Sequence, residues 1–173
     1  DDILIRLYPK ISNAHYAIYG DTTKALTIAL EGVRKFPKNW SQWYDLGYIY
    51  YIKKDYNNTL VAFDQALEIA PDDIAVLQNI SVIFGEMGNW ERYLSVNKKR
   101  MDLEPNNYYP VFNVATAYLY MEDYRNAIIY YEKSKQLLGV DEYPRTNISI
   151  AICYNHLAEY SKAIDLLEDI STN

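Results

Sequence analysis

Residues able to do chemistry are few in this chain, and their spacing suits none of the familiar reactions. Cys153 is the single cysteine, so no internal disulfide can form and no zinc site can be built from thiolates. The histidines are His15 and His156, far apart in the sequence. There is no glycine-rich phosphate loop, no G-x-S-x-G elbow and no H-E-x-x-H helix. Acidic pairs stand at Asp72-Asp73 and Asp141-Glu142. Both precede predicted helices, where a carboxylate caps backbone N–H groups and meets the positive end of the helix dipole. The expectation is a protein that is not an enzyme and holds no metal and no cofactor.

Charge narrows the partners. The net charge is −6, whereas a nucleic-acid binder needs a basic stripe to displace counterions from phosphates. Lys98-Lys99-Arg100, near Arg92, is the one basic cluster, and it reads as a solvated outer face, with a local docking point for an anionic group as the alternative. No run of about 18 apolar residues could cross a bilayer, and no secretory leader is visible. The expected compartment is the cytoplasm, with no nucleic acid and no membrane insertion. Four N-x-[ST] sequons, at Asn39, Asn57, Asn79 and Asn147, read as accidents of an Asn-rich chain. The chain starts at Asp1-Asp2 and stops within a predicted second helix, so it is expected to be part of something longer.

The elements that would position any binding residue follow from a period. Pro37, Pro71 and Pro105 recur at intervals of 34, and the residues between them repeat in register. A small residue recurs at Asn13, Gly47, Ser81, Ala115 and Ala151, where two helices are expected to cross closely. An aromatic plate follows at Tyr16, Tyr50, Phe84, Tyr118 and Tyr154. A second small slot holds Ala25, Thr59, Tyr93, Ala127 and Ala163. Turn formers stand between, at Gly20-Asp21, Lys54-Asp55, Gly88-Asn89, Glu122-Asp123 and Ala158-Glu159. The prolines close each second helix, because proline lacks the N–H that would continue the ladder.

The best-formed unit reads Trp43, Leu46, Gly47, Tyr50, then Tyr56, Phe63, Ala66, Leu67 and Pro71. It resembles the tetratricopeptide repeat, with Thr59 in a slot where that family usually has alanine. The resemblance implies an all-α fold, a right-handed superhelix of about ten antiparallel helices in a single domain over 1–173. Its repeats fall at approximately 6–39, 40–73, 74–107, 108–141 and 144–173. Three departures stand out. Tyr93, Asn97 and Arg100 make one second helix bulky and polar; an insertion falls around Gly139–Pro144; and Pro9 sits in a first helix, where the expectation is that it occupies the opening turn. At Gly47 the close crossing predicts that alanine is tolerated and leucine is not.

The same resemblance implies a scaffold or adaptor whose concave groove takes a protein or peptide partner. Carried onto this sequence, the groove positions are Tyr44, Tyr48, Tyr51, Gln78, Asn79, Val82, Tyr109, Phe112, Asn113 and Thr116, with Ile148 and Ile152 continuing the rows. A carboxylate clamp of the kind some relatives use is not expected, because those positions supply no cations. Of 19 tyrosines, Tyr16, Tyr50, Tyr118 and Tyr154 are plates, Tyr56, Tyr124 and Tyr160 start second helices, and Tyr131 is core. That leaves Tyr44, Tyr48, Tyr51 and Tyr109 as rigid contact area for a partner. Ile164, Leu167 and Ile170 predict an apolar, uncapped last helix, to be covered either by the rest of a longer parent sequence or by another copy of the chain through self-association. Two other readings share these features: a regulatory or substrate-docking domain of a larger enzyme or signalling protein, and a self-assembling organising protein.

Overall fold

The computed structural model describes residues 2–138 and 143–171. Among them the chain forms ten helices and no strand: α1 (Asp2–Tyr19), α2 (Thr22–Lys35), α3 (Trp40–Ile52), α4 (Tyr56–Ile69), α5 (Ile74–Glu86), α6 (Trp90–Leu103), α7 (Tyr108–Tyr120), α8 (Tyr124–Leu137), α9 (Tyr143–His156) and α10 (Tyr160–Ser171). The fold class is that of paired antiparallel helices, as the period predicts. Of the insertion expected around Gly139–Pro144, residues 139–142, with Asp141-Glu142, lie outside the described residues, as does the side chain of Ile170.

Each pair is made by one repeated turn. The residue opening it is left-handed in every pair: Gly20 (φ 65°), Lys54 (60°), Gly88 (66°), Glu122 (62°) and Ala158 (59°). The next residue caps the second helix. Asp21, Asp55, Asn89 and Asp123 accept from the backbone N–H three residues on, at 2.8, 3.2, 3.3 and 3.2 Å. Asn39, Asp73 and Asn107 cap the first helices that follow the prolines. The second helices before those prolines end at Lys35, Ile69 and Leu103, two residues short of each ring.

The chain divides into two compact units, residues 1–83 and 84–173. In the first, α1 packs on α2 and α3, α2 on α3, and α3 on α4. Its core joins Ala25, Ala29, Val33, Leu46, Ile49 and Ala62. In the second, α6 to α10 pack each on the next, around Ala115, Ala127, Tyr131, Ile150 and Cys153. Cys153 is buried there as a small apolar residue, and loss of solvent pushes its thiol pKa up to about 11, which holds it in the thiol form at neutral pH.

Four expectations are corrected. Pro9 is not in an opening turn: α1 starts at Asp2, so the ring sits inside the helix and removes the N–H that Ile5 would accept. The side chain of Gln42, 1% exposed on α3, takes its place by donating to the Ile5 carbonyl at 2.6 Å. Gly47 does not have room for alanine, because a Cβ there would lie 2.5 Å from Cδ1 and Cε1 of Phe63, a ring with no exposed surface. Asn13 is exposed rather than held in a close crossing.

Arg100 is not on a solvated face either. It is 4% exposed and paired with Glu104 at 3.1 Å, beside an Asn97 that donates to the Tyr93 carbonyl at 2.8 Å. Asn97 in turn accepts from Asn113 of α7 at 3.1 Å. The bulky, polar second helix thus buries its polar groups by satisfying them against one another.

Candidate functional site

On α3, tyrosines at 44, 48 and 51 fall one helical turn apart and so share a face. Their rings form a row: Tyr44 and Tyr48 lie 6.5 Å apart with planes 15° from parallel, and Tyr48 and Tyr51 6.4 Å apart at 29°. Trp40 meets Tyr44 edge-on at 6.4 Å, and Tyr56, opening α4, continues the row from Tyr51 at 6.5 Å. The inner edge of the row is anchored, since Phe63 stacks on Tyr44 at 5.8 Å and Tyr48 packs on the core. Its outer edge is open: Tyr44, Tyr48 and Tyr51 are all half-buried, and Tyr56 is exposed. Loss of solvent raises the Tyr44 pKa, so this hydroxyl stays protonated at neutral pH. Gln78, Asn79 and Val82 are exposed on α5, Val82 by 55%.

The second unit presents its own patch on α7. Tyr109 is exposed and stacked on Tyr108 with centroids 4.1 Å apart. Phe112 is half-buried, edge-on to Tyr131 at 5.1 Å, with the Arg145 guanidinium 4.9 Å above its ring. Asn113 and Thr116 are already engaged inside the protein. Asn113 donates to Asn97, and Thr116 bonds the Phe112 carbonyl at 3.0 Å and the Tyr131 hydroxyl at 3.2 Å. Their first task is structural, so Tyr109 and Phe112 offer the contact area in this unit.

Trp40 and Tyr56 extend the α3 row beyond what the repeat pattern assigns. Tyr56 occupies a slot where tyrosine is ordinary, and only its nearness to Tyr51 marks it. Ile148 and Ile152 are exposed, and with Tyr160, Ile164 and Leu167 they line an apolar cavity of about 440 Å³ between α9 and α10. Among the described residues no three His, Cys, Asp or Glu side chains converge as a metal site would require. No described helix is long and apolar enough to cross a membrane. The arrangement offers flat aromatic surface, not reactive groups.

Asp45 lies beside the α3 row but turns inward. It is 2% exposed, and its Oδ1 has no hydrogen-bond partner among the described residues. Loss of solvent pushes its pKa up to about 7, against the pull of Ser12 and Asn13 of α1.

Models of the tetratricopeptide repeat match residues 40–73 and 111–137. A curated relative, Superkiller protein 3 of Schizosaccharomyces pombe (strain 972 / ATCC 24843), is 26% identical over 140 residues, 78% of this chain. The chain spans about 10% of the length of that relative. Among solved structures, MamA 41-end from Desulfovibrio magneticus RS-1 superposes with a TM-score of 0.76 at 16% identity, over 98% of this chain and 94% of that one. YrrB, described as "a TPR protein with an unusual peptide-binding site", gives a TM-score of 0.71 at 13% identity, over 93% and 81%. At these identities the structural likeness speaks for the fold alone.

Proposed function

We propose that this chain, a tetratricopeptide-repeat protein, is a non-catalytic scaffold that binds a partner polypeptide against the aromatic faces of its first helices. The observation that carries the proposal is the α3 row. Tyr44, Tyr48 and Tyr51 present near-parallel rings at 6.4–6.5 Å while Leu46 and Ile49 of the same helix already fill the core. Rigid rings with polar tips give large contact area at little entropic cost. Tyr109 and Phe112 do the same in the second unit, and exposed Gln78 and Asn79 can pair with a partner's backbone. The fitting ligand is an extended or helical segment with apolar side chains. That YrrB is described as having a peptide-binding site supports this reading by analogy.

The test is a peptide library displayed on phage and selected on the 173-residue chain, followed by calorimetric titration of enriched peptides. Tyr48→Ala and Phe112→Ala are each expected to weaken binding by more than ~1 kcal/mol without loss of helicity. Affinity unchanged in both variants removes the assignment.

A second reading, self-association, is favoured by a separate observation. The cavity between α9 and α10 is lined by exposed apolar side chains, Ile148, Ile152, Ile164 and Leu167 among them, that apolar side chains of another copy could cover.

A further inference from the structure

Two helices leave apolar seams uncovered. On α1, Leu4, Leu7, Ile11, Ala14 and Ile18 recur at alternating steps of three and four, the spacing with which one helix inserts its side chains between those of others. Leu4, Leu7 and Ile11 are 44, 40 and 38% exposed, and Ile18 is 71% exposed. On α10, Tyr160, Ile164 and Leu167 follow the same steps and are 59, 54 and 46% exposed. They form one wall of the cavity described above, and α9 forms the other.

The repeat register says what belongs on each seam. Leu167 stands where Phe63 stands in α4 and Tyr131 in α8, and those two rings are 0 and 1% exposed. Tyr131 is closed over by the pair that follows it, sharing a cluster with Ile150 and Cys153 of α9. Leu167 thus occupies a slot that the first helix of a following pair covers. Ile11 stands in the slot of Asp45, Asn79, Asn113 and Ser149. Asn79 is exposed there, but Asp45 faces Ser12 and Asn13 of the preceding pair, and Asn113 reaches Asn97 of the preceding α6. Ile11 therefore occupies a slot that faces a preceding pair in two of the other repeats.

Charge agrees with a match between the two seams. After Asp2 at its start, α1 carries Arg6 and Lys10 and no further acid, and both bases are exposed. On α10, Asp165 and Glu168 are exposed, and the one base, Lys162, pairs with Glu159 at 2.6 Å.

We propose that a second copy of this chain seats the Leu4–Ile18 seam of its α1 in the groove between α9 and α10, so that copies join head to tail. The proposal rests on the self-association reading and gives it a geometry. The two faces are different surfaces of one chain, so the contact is heterologous and copies add in series.

The test is sedimentation velocity on the 173-residue chain as its concentration is raised, with Ile11→Glu and Leu167→Glu as blocked-head and blocked-tail variants. Both positions are exposed, and far-UV circular dichroism checks that both variants stay folded. The wild-type mass is expected to climb with concentration, and each variant alone is expected to stay at the monomer mass. Mixed, the variants retain one good head and one good tail, and are expected to give a species of twice the monomer mass and nothing larger. A wild type that stays monomeric overturns the self-association reading itself, leaving the groove to a flanking segment or a different protein. A wild type that associates while the single variants also associate, or whose variants fail to pair on mixing, keeps self-association but overturns the head-to-tail geometry.

Discussion

The exchange between Pro9 and Gln42 makes the sharpest prediction about this fold. Proline inside α1 deprives the Ile5 carbonyl of its helical donor, and the Gln42 amide supplies one from α3 at 2.6 Å. Gln42→Met keeps about the same side-chain volume and removes the amide, and with it the donor to Ile5. With Gln42 1% exposed, no solvent is at hand to replace it, so the carbonyl is left unsatisfied at a cost of about 1–3 kcal/mol. Pro9→Ala restores the N–H at position 9 and with it the ordinary bond to Ile5. In that background Gln42→Met is expected to cost little, giving a coupling of at least ~1 kcal/mol between residues 33 positions apart. The assay is urea unfolding of the four proteins of the cycle. Trp40 and Trp43 fluorescence reports on α3, and circular dichroism checks the slope. An equal loss from Gln42→Met in both backgrounds would show that the amide does not replace the missing N–H.

Further outcomes are expected elsewhere. Gly47→Ala pushes a methyl into the Phe63 ring; the gain in helix propensity, about 1 kcal/mol, is outweighed by about 1–3 kcal/mol of overpacking, so unfolding should occur at lower urea, and Phe63→Leu in the same chain should recover part of the loss. Asp45 has its folded pKa raised from an ordinary 3.8 to about 7. Its contribution to stability is therefore whole below about pH 4 and lost as pH rises through 7, and Asp45→Asn should abolish that dependence and stabilise the first unit above pH 7 by up to roughly 4 kcal/mol. Ala158→Gly relieves a left-handed alanine at φ 59° and should raise the melting temperature, with a gain of about 1 kcal/mol, while the same change at Ala151, within α9, should lower it.

How much of this could be read from the sequence depends on whether a residue's role is local. The turns were legible because each needs a particular backbone state, and residues 20, 54, 88, 122 and 158 meet it in step with the caps beside them. Lys54, Glu122 and Ala158 show that the fold enforces the left-handed turn even where no glycine eases it. Pro9 was misplaced because α1 runs upstream of the repeat boundary, and nothing in the period fixes where a first helix begins. Arg100 read as surface because polarity in a small slot has no local sign of burial. Its partners are Glu104, which caps the C-terminus of the same helix, and Asn97, which is held in turn by Asn113.

The room at Gly47 depends on how one ring lies. Phe63 lies within 19° of parallel to Tyr44, across the glycine, whereas beside Ala115 the equivalent Tyr131 is turned 63° to Phe112. Sequence alone gives both rings and neither angle. The binding rows were legible as positions on a helix face, but not as surface. Asn113 and Thr116 share that face with Phe112 and are occupied by internal hydrogen bonds.

The central claim, that the α3 tyrosine row receives a partner, is tested most directly by fluorine NMR of the chain labelled with 3-fluorotyrosine and titrated with a selected peptide. The resonances of Tyr44, Tyr48 and Tyr51, assigned by single Tyr→Phe variants, are expected to shift together and saturate with the peptide, while buried Tyr131 stays in place. Saturating binding that leaves those three resonances unmoved would contradict the account.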